Sequence, residues 1–442
     1  MAAVAQQQSV YLQDFQARDR SAEPVWWTTR REAAMQRFEA AGFPSRKVEA
    51  WKQTRLGSVP QEHFRPAAAP GTPDAAQANN LAVVDDAVQV VFVDGVLDPQ
   101  RSQLEGLPEG LRVRTLEVAL NEEGGVAEDH LARHADAEPH PFLALNTAFT
   151  TQGLVIDVPA NAAPGRALEI VHVMTPDSAG VAAWPRVLIH AGTSAEVTVV
   201  ERYEGADGAG YLVAPVTEII AGANSHVGFY QCVREGDQGT HMGVVHASLE
   251  RDAHLTGHAL HAGGARLRTD LFVDLNGSGA HSSLNGLYLV HGGEFSDVHT
   301  WVRHNVEHCT SEQLFKGVLD GKAETVFDGL IHVAEGAQKT DAEQQNRNLL
   351  LTPKALAHSN PRLEIYADDV KCGHGSTVGQ LEEEAVFYLR SRGIGEEEAR
   401  GILTFAFAND MLESIPLPSL QVYEREALLA LLPGEEGVRR LL

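Results

Sequence analysis

At 442 residues, 43% hydrophobic and 21% charged, the chain exceeds the size that one hydrophobic core usually supports, so two or three domains are expected. Its formal charge of -25 argues against nucleic acid or an anionic membrane surface as the main partner. The three cysteines, Cys232, Cys309 and Cys372, are too few and too scattered for a disulfide framework. Neither a signal-peptide pattern nor a run of about 18 apolar residues is present, so a cytoplasmic protein is expected.

In chain order, residues 8–56 read as helical, with Val10, Tyr11, Phe15, Met35 and Phe38 at mixed helical spacing and punctuation at Pro24 and Gly42–Ser45. Trp26, Trp27 and Trp51 read as packing residues. Residues 59–80, rich in Pro, Ala and polar residues, read as a loose linker that completes an N-terminal helical domain over 1–80. A mixed α/β segment follows over 81–152. In it Val88–Leu97 reads as a strand pair turning at Asp94–Gly95, and residues 140–151 read as a helix.

From about Gly153 short apolar strands alternate with Gly, Asn, Asp and Ser, and a loose repeat emerges. Aligning Ala195, Ser225, Ala253, Ala280 and Ala323 gives steps of 30, 28, 27 and 43 residues. Each unit is a turn with a small residue followed by alternating apolar positions. That pattern predicts a mainly β protein whose core, over 153–380, is a β-helix, with a large β-sandwich as the alternative. After Gln380 helical patterns return over 381–394, 396–415 and 425–432, with Pro416 and Pro418 ending the second. A C-terminal helical domain is therefore expected over 381–442, closing the solenoid or offering a face to a partner.

The stretch Arg362–Gln380 carries the candidate chemistry. It starts with strand-like alternation, and if one strand runs through it, Asp368, Cys372 and His374 share a face. A thiol beside an imidazole suits a soft metal or sulfur site, a nucleophile with its base, or simply a buried Cys and a surface His. Parallel side chains at i and i+2 and the lack of a visible oxyanion hole speak against a cysteine hydrolase. His304, His308 and Cys309 read as polar turn residues ahead of a metal cluster, and His254, His258 and His261 are expected to point outward. Gly336–Thr340 lacks the spacing of a nucleotide loop, so any ATP-driven work must come from another chain.

Several stretches together, GFPSRKVEAWKQT from Gly42, FLALNTAF from Phe142, HCTSEQLFKGVLDG from His308 and above all LEIYADDVKCGHGSTVGQLEEEAVFYLRSRGI from Leu363, resemble the SufB/SufD family of iron–sulfur cluster assembly scaffold proteins. The resemblance runs over nearly the whole chain. It implies a right-handed parallel β-helix flanked by N-terminal and C-terminal helical domains. It also implies a non-enzymatic scaffold that pairs end to end with a homologous chain and docks a SufC-type ABC ATPase through its C-terminal helices, with no membrane subunit and no nucleic acid. Gly373-His374-Gly375 stands where the SufB branch carries Glu-His-Glu, and Asn346 stands near the position of that branch's essential cysteine, which favours the SufD branch and a SufB-type partner. The cluster, or iron alone, would be held transiently between the chains by His374 and Cys372; flavin binding is left open. Phe405 and Phe407 are the candidate ATPase contacts, with packing inside the helical unit as their other reading. The competing function for a β-helix is a carbohydrate-active lyase or hydrolase, which needs a carboxylate pair or an acidic calcium cleft. Asp368 and Asp369 alternate faces and do not supply one. A third possibility is a pure assembly protein in which Cys372 and His374 are structural.

Overall fold

The computed structural model describes residues 2–133 and 140–440, with side chains from Val10 onward, so part of the expected mixed segment lies outside the described residues. Successive strands alternate between two sheets that face each other. The first sheet runs through Val88–Val93, Leu168–Met174, Glu196–Gly205, His226–Arg234, His254–Ala262, His281–Val290, Thr310–Leu319, Asp341–Leu350 and Lys371–Gly379. The second runs through Gly153–Val158, Arg186–Ala191, Val216–Ala221, Thr240–Leu249, Arg266–Leu275, Phe295–His304, Glu324–Val333 and Leu356–Ile365. All these neighbours pair in parallel, so the core is a β-helix, as the repeat predicts. At its N-terminal end each sheet finishes in a short antiparallel strand: Val96–Leu97 on the first and Arg112–Thr115 on the second. The Val96–Leu97 hairpin turns through Asp94 and Gly95, both at positive φ, which is the expected tight turn.

Small residues set the coil spacing. Ala195, Ser225, Ala253 and Ala280 each directly precede a strand of the first sheet and are fully buried where one turn stacks on the next. Ala323 precedes a strand of the second sheet, so the 43-residue step joins two different turns. The equivalent of the first four is Cys309, buried ahead of Thr310, which restores a step close to 29 residues.

In the early coils the interior stacks Val197, Val227 and Leu255 in register and also buries the Glu201 carboxylate, which accepts from Thr217 Oγ1 at 3.0 Å and Gln231 Nε2 at 3.3 Å. Farther on it takes in hydrogen-bonded polar groups, among them Tyr288, Asn346 and Asn348. The expectation that His254, His258 and His261 point outward holds for His254 and His258 and fails for His261, and of the two outward side chains His254 alone is accessible. His261 points into the coil, bonded to Ser296 and Thr269 of the second sheet, both at 2.9 Å. His258 faces away from the interior but lies beneath the C-terminal helices, bonded to Glu424 at 2.8 Å. Outward is not exposed here, because both outer faces are covered.

The second sheet is covered by N-terminal helices Ala2–Ala17 and Val25–Ala41 and by the buried helix Pro141–Phe149. Trp27 and Trp51 are buried and Trp26 is covered by Arg30, in keeping with packing roles. The expected loose linker over 59–80 is instead a fastened strap. Phe64 is buried, Arg65 bridges Val181, and Asp74 caps the helix Ala75–Asn79 through a reciprocal capping box. Three buried arginines pin these coverings. Arg186 bonds Glu218 and Thr147, Arg268 bonds Asp270 and Ala50 O, and Arg202 bonds Glu169 and Asn80 O. The C-terminal helices Glu383–Ser391, Glu396–Glu413, Pro418–Leu431 and Glu435–Arg439 lie along the flank of the first sheet and leave the solenoid end open. Pro418 starts its helix at the first turn, where its missing N–H costs no bond, so the third helix begins earlier than expected.

Burial holds the imidazole of His261 down at about 3 and that of His304 at about 4. Neither accepts a proton in the folded state until the pH is well below their unfolded value of about 6.5. Their contribution is therefore complete above that value and is lost as pH falls from about 6.5 toward 4. For His304 the loss amounts to about 3 kcal/mol. The urea midpoint should drop over this window, and His304→Gln, which cannot titrate, should flatten the drop.

Candidate functional site at the open end

The strand Leu356–Ile365 does not run on to Cys372. The chain crosses at Tyr366–Val370 to the opposite sheet and resumes as Lys371–Gly379. Crossing is unavoidable, because each coil contributes one strand to each sheet and the sheets stand apart by roughly 10 Å. Ala367 is buried in this turn and Val370 packs beside it. Asp368 is therefore exposed in the turn and does not share a strand face with Cys372 and His374, and Asp369 is paired with Lys339.

Cys372 and His374 do share a face. They stand in register with Ala342 and Gln344, both buried inward-facing residues of the preceding strand. These positions point into the coil, yet His374 is exposed and Cys372 is half-buried against Ala342, Val370 and Ala367, because no further coil of the described residues stacks above. Ser376 and Ser359 meet across the two sheets at 2.7 Å, fastening the last coil. Leu356, Ile365, Tyr366 and Val378 are exposed apolar residues around the same end. Both last strands end their sheets, leaving a row of backbone donors and acceptors outward. Gly373 and Gly375 face the other way, and a Cβ added at either would meet nothing within 4 Å. Nothing in this chain therefore requires glycine at those positions.

Burial pushes the Cys372 thiol up, and the Asp341 carboxylate adds to the shift. The group is a thiol rather than a thiolate at neutral pH, and it becomes a ligand or nucleophile on losing its proton. A cysteine and a histidine are half of a four-ligand site. Among the described residues no three His, Cys, Asp or Glu side chains converge to hold a metal.

The other histidine cluster is structural. His304 is buried and bonds Ser311 at 2.8 Å, His308 takes a positive φ in a turn, and Cys309 Sγ donates to Gly277 O at 3.3 Å. Phe405 and Phe407 lie on the helix Glu396–Glu413, half-buried against the solenoid flank, with Lys316 Nζ 5.0 Å from the Phe407 ring. The accessible aromatics are instead Phe387 (70% exposed) and Tyr388 (57%) on the helix Glu383–Ser391. The run VFYLRS offered that signal, since its apolar residues are too many for one buried stripe.

Two family descriptions match along the chain: the SufBD protein N-terminal region over residues 1–170, and the SufBD core domain of SUF-system FeS cluster assembly over residues 173–407. The chain belongs to the SufBD family of iron–sulfur cluster assembly proteins. It is 33% identical to the iron–sulfur cluster assembly protein SufD of Escherichia coli over 387 residues, 86% of this chain and 87% of that protein. A SufBD family protein of Synechocystis is 30% identical over 89% of this chain and 88% of its own length. SufD of Bacillus subtilis is 24% identical over 93% and 94%. Family membership takes the place of the carbohydrate-active reading.

Cys232 and Cys309 are 0% exposed, so iodoacetamide should label one cysteine of the folded SufBD chain, Cys372. Intact mass and peptide mapping would show it. Labelling should speed up with rising pH, and Asp341→Asn should accelerate it at fixed pH by removing the carboxylate that raises the thiol pKa.

Proposed function

We propose that the chain is a SufD-type, non-catalytic subunit of an iron–sulfur cluster assembly complex. In this reading its last coil pairs with a SufB-type homologous chain and its C-terminal helices dock a SufC-type ABC ATPase. The cluster forms between the two solenoids, with His374 as this chain's ligand and Cys372 as the second candidate beside it. The carrying observation is the unfinished coil: Cys372 and His374 occupy inward-facing positions that no coil among the described residues covers. A homologous strand laid on Lys371–Gly379 would satisfy the free backbone edge, bury Val378 and Tyr366, and complete the ligand set from its own side. The open space beside Gly373 and Gly375 supports close approach of a foreign backbone or cluster. Neutral imidazole nitrogen and thiolate sulfur are ligands that iron accepts, and thiolate also accepts sulfur.

Support for ATPase docking comes from the exposed Phe387 and Tyr388, an apolar pair on a helix that packs its Val386 inward. Phe405 and Phe407 remain candidate contacts through their exposed edges. No helix among the described residues is long and apolar enough to cross a membrane, and the reading places the complex in the cytoplasm.

In the reconstituted complex, His374→Ala should lower cluster formation at least tenfold, read by absorbance and iron content, while subunit composition by native mass spectrometry stays unchanged. Normal cluster formation in that variant would remove His374 from the site. Cys372→Ser in parallel decides whether the thiol is a ligand. A Phe387→Glu, Tyr388→Glu double variant should release the ATPase subunit and keep the homologous partner; retention of both would move the docking face elsewhere.

A further inference from the structure

Lys316 sits on the outer face of Thr310–Leu319 and is 4% exposed. Its Nζ donates to Phe407 O at 2.8 Å and to the Asp410 carboxylate oxygens at 2.7 and 2.8 Å, so its ammonium hydrogens are all engaged by one helix, Glu396–Glu413. The site lies near that helix's C-terminal end, where its dipole favours a cation. Otherwise the helix rests on the flank through Ala408, Met411 and Leu412, whose apolar contacts are non-directional and set no sliding position by themselves. The other polar anchors of the helical unit, Glu424 with His258 and Cys232, Tyr423 with Glu204, and Ser419 Oγ with Asp85 N, grip earlier parts of the chain. Lys316 is the anchor nearest the open end. It pairs in register with Arg347, which pairs with Thr377, so it stands two strand spacings, about 10 Å, from the strand bearing Cys372 and His374.

We propose that Lys316 is a positioning residue that couples the helical unit to the terminal coils, so that movement imposed on the helices reaches the Cys372–His374 strand. A buried ammonium between strand and helix is a costly way to pack a flank that methionine could fill. Its directional bonds supply what methionine cannot, a fixed register between helix and strand. The in-register strands beyond it form one continuous hydrogen-bonded sheet, which is the path the coupling would take. The inference rests on the proposed docking of an ATPase by these helices.

The test is Lys316→Met in the complex with the homologous chain and the ATPase subunit. The variant keeps the apolar stem, and Asp410, whose side chain is 56% exposed, stays solvated. ATPase co-purification and ATP hydrolysis should remain within about twofold of wild type, and cluster formation should fall at least tenfold; Lys316→Arg should restore part of it. Asp410→Asn, at the exposed end of the pair, should show the same split in milder form and serves if Lys316→Met does not fold. Wild-type cluster formation in the folded variants overturns the inference, as does parallel loss of hydrolysis and cluster formation, which marks a merely structural role. An ATPase missing from the wild-type complex overturns the docking reading and this inference with it.

Discussion

Every strand of the solenoid relies on the next coil for half of its backbone hydrogen bonds and for a lid over its inward side chains. That dependence fixes what each coil must contain: a small buried residue at the turn, as at Ala195, Ser225, Ala253, Ala280 and Cys309, and inward side chains that tolerate a copy of themselves about 4.8 Å away. It also explains why the chemistry-bearing residues lie where they do. Cys372 and His374 sit in the only register that turns side chains inward, on the strand with nothing stacked above it. The same geometry that would bury a thiol and an imidazole in any earlier coil presents them at the last one. The accessibility of these two side chains and the incompleteness of the fold are thus one feature.

The covering layers meet the solenoid through buried charge. Arg186, Arg202 and Arg268 each take a carboxylate from the sheet surface and a backbone or side-chain oxygen from a covering segment. Removing one partner of such a pair typically costs about 3–5 kcal/mol, because the other is left charged in a dry interface. The pairs bring specificity that apolar packing lacks: the strap near Asn80 and the turn near Ala50 each have one place to sit. Burial in this protein is distributed over two flanks and an axis, which is why it can leave one axial end uncovered and stay folded.

Much of this was legible in the chain. The small-residue turns and alternating apolar positions announced stacked coils, and the helical periods at both ends announced the coverings. What stayed hidden had one physical origin: a strand pattern states which residues share a face but not which sheet the strand joins or what lies over it. Ala323 therefore matches in sequence the turns of the other sheet, and Asp368 continues the alternation of a strand that in fact ends at Ile365. His258 looked accessible because its cover, Glu424, comes from 166 residues away. For Phe405 and Phe407 the sequence left contact and packing both open, and the solenoid flank they pack against lies outside any helical pattern, as does the exposure of Phe387 and Tyr388. That Cys372 and His374 share a face was readable from the two-residue spacing; that the face is the inward one and yet open was not, since it depends on the register with Ala342 and Gln344 and on what stacks beyond.

The two ends of the solenoid are unlike. The short reversed strands Val96–Leu97 and Arg112–Thr115 break the parallel ladder at its beginning, whereas its other end is ready to be extended. A column of parallel coils receptive at both ends would add copies head to tail without limit and grow into a fibre. At the reversed end an added strand finds only two and four residues to pair with, against ten and nine at the other. That asymmetry weighs against endless head-to-tail growth.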